Sequence, residues 1–168
     1  MRRSRRANGE AATLLGLLEA AGATLATAES LTGGRLAAAV TAVPGASHSY
    51  VGGVVSYATE LKESLLGVSP ALVAEYGVVS SECAAAMATG ARAVTGATYA
   101  LSTTGVAGPD EQEGKPVGTV YVGLSGPQGG TVLAMDLVGG REEICDRTVR
   151  EALAALCAQV RQEQPSLG

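Results

Sequence analysis

Two periods of hydrophobicity alternate along the chain. In "GEAATLLGLLEAAGA" (9–23), Leu14, Leu15, Leu17 and Leu18 share one side of a helix, and Gly22 is placed to end it. "TLATA" (24–28) is short, small-sided and compatible with a strand, and residues 33–43 read as a helix that stops before Pro44. The β-branched content of "SYVGGVVSYA" (49–58) predicts another strand. "TELKESLLG" (59–67) predicts a short helix capped by Thr59 and closed by Gly67, and Ser69 before Pro70 is the start of a further one. Ser80 opens the helix "SECAAAMATGARAV", followed by the strand "TYALSTT" (98–104) and the polar loop "GVAGPDEQEGKP" (105–116). "VGTVYVGLS" and "TVLAMDLV" predict a hairpin across "GPQGG". A last amphipathic helix runs from about Arg141 to Gln162.

Helices alternate with strands in the first two thirds, and the end is a hairpin followed by a helix. That order predicts an α/β fold: one three-layer α/β/α domain over residues 9–162, with a mixed, mainly parallel sheet, parallel first and antiparallel later. No internal repeat or low-complexity linker interrupts it. Residues 1–8, opening "MRRSRR", resemble the start of a signal peptide, but carboxylates and helical periodicity follow where an unbroken apolar run would be needed. They are read as a disordered basic tail, and residues 163–168 as a loose C-terminal tail.

Composition changes this picture in three ways. With no Trp, no Phe and five Tyr, the core must be built from Ala, Val and Leu, whose small volumes suit close packing of helix on sheet. The longest apolar runs are broken by Glu10, Glu19 and Arg35, short of the roughly 20 residues that cross a bilayer, so no membrane span is expected. A net charge of -4 argues against a nucleic-acid partner. Cys83, Cys145 and Cys157 are dispersed and form no C-x-x-C pair, which points to buried thiols in a cytoplasmic protein.

Candidate chemistry is confined to a few positions. "TAESLTGGRLAAAV" (27–40) sets Ser30 at a strand-to-helix junction, where it can be a helix cap or a nucleophile. The single histidine, His48, lies in a loop, so a Ser-His-Asp triad is set aside. Ten arginines stand against two lysines, Lys62 and Lys115. Lysine can be made neutral by desolvation and then accept a proton, which arginine cannot. Ser30, Lys62 and Tyr57 could therefore form a catalytic group without histidine; the alternative is that Lys62 is a solvated helix residue paired with Glu60 or Glu63. The G…GK of the loop 105–116 is not a phosphate loop: five residues separate Gly108 from Gly114, and Pro116 stands where a Ser or Thr would hold magnesium. It is read as a lid. The carboxylates have no ligand-like spacing, so no metal and no other cofactor is expected.

"AESLTGG" (28–34), "PGAS" (44–47), "GGVVSYATELKESLLGV" (52–68), "TGVAGP" (104–109) and "KPVGTVYVG" (115–123) occur in the order and spacing of the CinA C-terminal-domain family, which the chain resembles over nearly its whole length. The resemblance implies nicotinamide-nucleotide amidohydrolase activity: nicotinamide mononucleotide and water give nicotinic acid mononucleotide and ammonia. It places the family's nucleophilic serine on Ser30, its lysine on Lys62 and its tyrosine on Tyr57, with Lys62 taking the Ser30 proton directly or through Tyr57. Thr32, Gly33, Gly34, Thr104, Gly105, Gly108 and Lys115 are then the expected substrate-binding positions. Backbone donors at Gly33 and Gly34 would hold the oxyanion or the phosphate, and the loop to Lys115 would close over the nucleotide. Two departures stand out. Many relatives read Tyr-Ser-Asn-Glu where this chain has Tyr57-Ala58-Thr59-Glu60, and Gly-Asp-Arg where it has Gly139-Gly140-Arg141. The alternative is a catalytically silent nucleotide-binding or interaction module of the competence- and damage-inducible type. The oligomeric state is left open, a homo-oligomer included.

Overall fold

In the computed structural model, which describes residues 2–164, the elements follow the predicted order. They are α1 (Arg2–Ala20), β1 (Leu25–Glu29), α2 (Arg35–Thr41), a 3₁₀ turn (Ala46–His48), β2 (Tyr50–Val55), α3 (Thr59–Leu66), α4 (Pro70–Tyr76), α5 (Ser81–Thr95), β3 (Tyr99–Gly105), β4 (Thr119–Gly126), β5 (Gly129–Asp136) and α6 (Arg141–Glu163). The strands form one sheet in the order β2-β1-β3-β4-β5. β1 pairs in parallel with β2 and β3, whereas β3–β4 and β4–β5 are antiparallel, so the sheet is evenly divided rather than mainly parallel. β4 and β5 are joined by a tight turn and β3 and β4 by a loop without a helix, so neither pair is built by a helical crossover, as parallel pairing would ordinarily need.

The small residues of the strands decide how the layers stack. Ala26, Ala28 and Ala100 present almost no bulk on one face, which lets α5 lie close through Cys83, Met87 and Ala91. Gly123 is required there, since a Cβ would stand 2.2 Å from the Ala84 carbonyl oxygen. The opposite face carries Leu25, Leu101, Val120 and Val122 and is covered by Leu14 and Leu18 of α1, Leu36 of α2, and Ile144, Leu153 and Leu156 of α6. All three cysteines are buried and free. Among the described residues no helix is long and apolar enough to cross a membrane.

Several boundaries differ from the sequence reading. α1 begins at Arg2, so the backbone of residues 2–8, read as a basic tail, continues the helix; Arg and Ala are good helix formers. The hairpin is tighter than "GPQGG": Gly126 and Gly129 pair, leaving Pro127 and Gln128 as the turn. Thr59 is the first residue of α3 rather than its cap, which is Ala58, without a side-chain bond. Ser80 does cap α5, its Oγ accepting from the Cys83 N–H at 3.1 Å. Glu163 is the last residue of α6 and Gln164 its C-cap, while the rest of the expected C-terminal tail lies outside the described residues.

Candidate active site

The chain leaves β1 toward β2 and leaves β3 toward β4, in opposite directions, so a crevice opens between the C-terminal ends of β1 and β3. This is where open α/β sheets bind ligands. A cleft of about 360 Å³ lies there, lined by Ser30, Tyr57, Lys62, Thr104, Gly108 and Arg141, together with the loop residues Asp110, Glu111 and Gln112. Its size falls in the roughly 300–1,000 Å³ range of small-ligand pockets.

Ser30 directly follows β1, and its N–H extends the ladder to the Thr103 carbonyl at 2.9 Å. Lys62, on α3, is 1% exposed, which removes the solvated-residue alternative. Its Nζ lies 3.0 Å from Ser30 Oγ, 2.7 Å from the Ser56 carbonyl oxygen and 3.2 Å from the Tyr57 carbonyl oxygen. Burial pushes the Lys62 ammonium below its usual proton affinity, partly countered by the neighbouring Cys83 sulfur and the Glu113 and Glu60 carboxylates. The Cys83 thiol beneath it is pushed up to about 11, chiefly by burial, and is no nucleophile at neutral pH.

Tyr57 meets Lys62 only through its main-chain carbonyl. Its phenol, on a side chain 58% exposed, accepts from Arg141 Nη2 at 2.7 Å. Arg141 Nη1 also donates to the Gly108 carbonyl at 2.6 Å, so one guanidinium ties the β2–α3 wall to the loop wall. Arg141 is the first residue of α6, where a cation opposes the helix dipole. Arg141 was not among the expected site residues; that opposition, together with the Gly-x-Arg pattern, is the sequence signal that would have marked it as a candidate.

The expected role of Gly33 and Gly34 is corrected. The Glu29 carboxylate, 1% exposed, accepts from the N–H groups of Gly34, Leu36 and Ala37 at 3.0, 2.9 and 2.8 Å and from the Thr32 hydroxyl at 2.7 Å. The Gly33 N–H donates to the Ser30 carbonyl. Neither glycine amide is left for substrate; both residues have positive φ (55° and 97°), so the turn itself requires them. The Thr32 hydroxyl is likewise engaged, 2.8 Å from Thr103 Oγ1, and buried. Among the described residues the amides of Leu31 and Thr32, just after the serine, carry no hydrogen bond, and Leu31 lines the cleft.

Thr104 lines the cleft with its hydroxyl donating to the Val78 carbonyl at 2.6 Å. Gly105 also lines it, but sheet packing explains the glycine, because a Cβ would stand 2.5 Å from the Thr119 carbonyl oxygen. Lys115 does not reach the cleft: its ammonium donates to the Val79 carbonyl. The loop 105–116 is thus fastened, not a free lid. Its other anchor, Glu113, accepts from the Val78 and Val79 N–H groups at 3.0 Å each and was not foreseen from the sequence. His48 stays apart, its ring 3.2 Å from the Glu19 carboxylate at the surface.

Comparison with known proteins agrees with this fold. The CinA C-terminal domain profile matches residues 8–160. A CinA-like protein of Frankia casuarinae is 56% identical over 140 residues, 83% of this chain and 32% of the relative. The chain spans about a third of the length of the curated relatives it matches. The crystal structure of the competence damage-inducible protein A from Klebsiella pneumoniae superposes with a TM-score of 0.92 at 35% identity, covering 94% of this chain and 99% of that one. A competence/damage inducible protein from Agrobacterium tumefaciens gives 0.88 at 35% identity, covering 91% and 94%. The chain belongs to the CinA C-terminal domain family.

Proposed function

We propose that the cleft hydrolyses the carboxamide of nicotinamide mononucleotide, with Ser30 as nucleophile and Lys62 as base. The observation that carries the chemistry is the placement of Lys62 Nζ among three oxygens. A neutral lysine amine has two hydrogens and one lone pair. The Ser56 and Tyr57 carbonyls take the two hydrogens, which turns the lone pair toward Ser30 Oγ at 3.0 Å. Desolvation supplies the neutral amine, and once it takes the serine proton the two carbonyls stabilise the ammonium. Proton transfer is direct. Tyr57, its phenol held by Arg141, shapes the pocket rather than relaying the proton.

As Oγ attacks the carboxamide carbon, its proton passes to Lys62. The oxyanion is met by the Leu31 N–H, the amide that follows the nucleophile. Lys62 then protonates the amide nitrogen, ammonia leaves, and an ester joins the nicotinoyl group to Ser30. Water attacks that ester, giving a proton to Lys62, which returns it to Oγ as nicotinic acid mononucleotide departs. Arg141, the basic lining residue besides Lys62, is the partner for the phosphate, and Asp110 and Glu111 face the ribose and the positively charged pyridinium. The substrate itself is suggested by the family resemblance.

The test is ammonia release from nicotinamide mononucleotide, nicotinamide riboside and nicotinamide by wild type and Ser30→Ala. We expect the mononucleotide to be the preferred substrate and Ser30→Ala to be folded and inactive. A wild type inert toward all three, or an active Ser30→Ala, would reject the reading in favour of a binding module or another nucleophile.

A further inference from the structure

The loop between β3 and β4 spends two charged side chains on a single short segment of backbone. Glu113 takes the N–H groups of Val78 and Val79, each at 3.0 Å, and Lys115 donates to the Val79 carbonyl. From the sheet, the Thr104 hydroxyl takes up the Val78 carbonyl at 2.6 Å. Gly77 completes the seat: a Cβ there would stand 2.4 Å from Glu113 Oε2, so the carboxylate lies flat against the glycine. Among the described residues Glu113 is the one non-glycine with positive φ, 53°. That conformation is sparsely populated for residues other than glycine and persists where surrounding bonds over-determine it.

The clamped segment leads straight into the site. Val78 and Val79 line the cleft with Ser30 and Lys62, and the next residue, Ser80, caps α5. Cys83, on the first turn of α5, carries the thiol that acts on Lys62. We propose that Glu113 is a positioning residue for the Ser30–Lys62 pair: it fixes the Gly77–Val79 wall of the cleft and supplies the loop's negative charge toward the buried amine. The proposal rests on the reading in which Lys62 is the base of this cleft.

The groups that act on Lys62 can be named element by element. They are Ser30 after β1, the Ser56 and Tyr57 carbonyls after β2, Glu60 on α3 itself, Cys83 on α5 and Glu113 on the loop. Glu60 is exposed and Cys83 is neutral at working pH, its thiol at about 11. Glu113 is therefore the charge from outside α3 that favours the protonated amine. Without it the amine gives up its proton at lower pH, and the alkaline-side activity of the base begins earlier.

The chain's two lysines make this directly measurable. Lysine labelled with ¹³C at Cε gives two side-chain signals, and Lys115→Met leaves that of Lys62 alone and so assigns it. We expect the Lys62 titration midpoint to move to lower pH in Glu113→Gln. Glu113→Asp keeps the charge but is one methylene too short for both amides. It is expected to keep the wild-type midpoint and to lose kcat/KM on nicotinamide mononucleotide by about tenfold, the size of one charge-assisted hydrogen bond. An unmoved or raised midpoint in Glu113→Gln overturns the proposal, as does wild-type kcat/KM in Glu113→Asp, which serves if the Gln variant fails to fold. The titration needs no substrate. A wild type inactive on the mononucleotide would therefore sink the functional reading while the midpoint still decides this one.

Discussion

Replacing Lys62 by Met separates base catalysis from packing. Met matches most of the lysine stem, so the site between α3 and α5 stays filled, but the variant offers no lone pair to Ser30. General-base catalysis contributes about 10²–10⁴ in rate, or roughly 2.7–5.4 kcal/mol of transition-state stabilisation. With Lys62 as the base 3.0 Å from Ser30 Oγ in the proposed reaction, the loss should fall in that range. Stability responds differently. The Ser56 and Tyr57 carbonyls lose their donor, at about 1–3 kcal/mol each when buried, while the cost of holding a desolvated amine disappears. The two effects oppose, and a net loss below about 3 kcal/mol is expected. The pH dependence gives a second reading. Because the folded pKa of Lys62 lies below 10.5, the unfolded chain holds a proton that the folded chain has lost throughout the interval between the two. Wild-type stability therefore gains with rising pH in that interval, relative to Lys62→Met, and the difference is flat at more acidic pH. The assays are ammonia release and paired thermal melts across the alkaline range. A Lys62→Met enzyme with more than about a tenth of wild-type kcat/KM, a loss under 1.4 kcal/mol, would show that Lys62 is not the base.

Two further outcomes follow from the same contacts. Glu29→Gln retains one acceptor oxygen and turns an amino group toward backbone donors, so it should cost about 2–3 kcal/mol of stability, measured by urea unfolding at neutral pH. Arg141→Met should raise KM for nicotinamide mononucleotide by about tenfold or more, through loss of a charged contact, while KM for the riboside changes little. Equal effects on both substrates would remove the phosphate from Arg141.

Much of the architecture was legible because strand and helix periods do not overlap in this chain. The order of pairing, parallel first and antiparallel later, was legible too; its even balance was not, because the sequence does not show in which direction β4 returns after the long loop from β3. Ser30 and Lys62 were legible for different reasons: one from its junction, the other from the scarcity of lysine. Lys115, the other scarce lysine, was expected at the substrate on the family resemblance, and the structure fastens it to a backbone carbonyl instead. A compact ammonium that must reach one buried carbonyl is as hard to exchange for a planar guanidinium as a base is, so scarcity marks a demanding site without saying which demand it meets. Gly33 and Gly34 were misread for a related reason. Glycine reads alike whether it clears space for a ligand or permits a left-handed turn, and here the turn needs it. Glu113 left no local trace, because its partners lie 34 and 35 residues away.

Glu29 changes what the junction at Ser30 is for. A helix start beside a nucleophile is ordinarily a source of free amides for an anion, but here a buried carboxylate already occupies the amides of Gly34, Leu36 and Ala37. A phosphate placed on that helix end would meet a negative charge in its way, and so would an oxyanion. In the proposed reaction the anionic groups of the nucleotide are served elsewhere, and two donors on the cleft stand apart: the Leu31 amide beside the serine, and the Arg141 guanidinium that reaches the loop wall. One suits a charge that appears during reaction, the other a charge the substrate carries throughout. By closing the helix end, Glu29 keeps those two tasks apart and holds the turn that carries Ser30, the nucleophile of the proposed reaction.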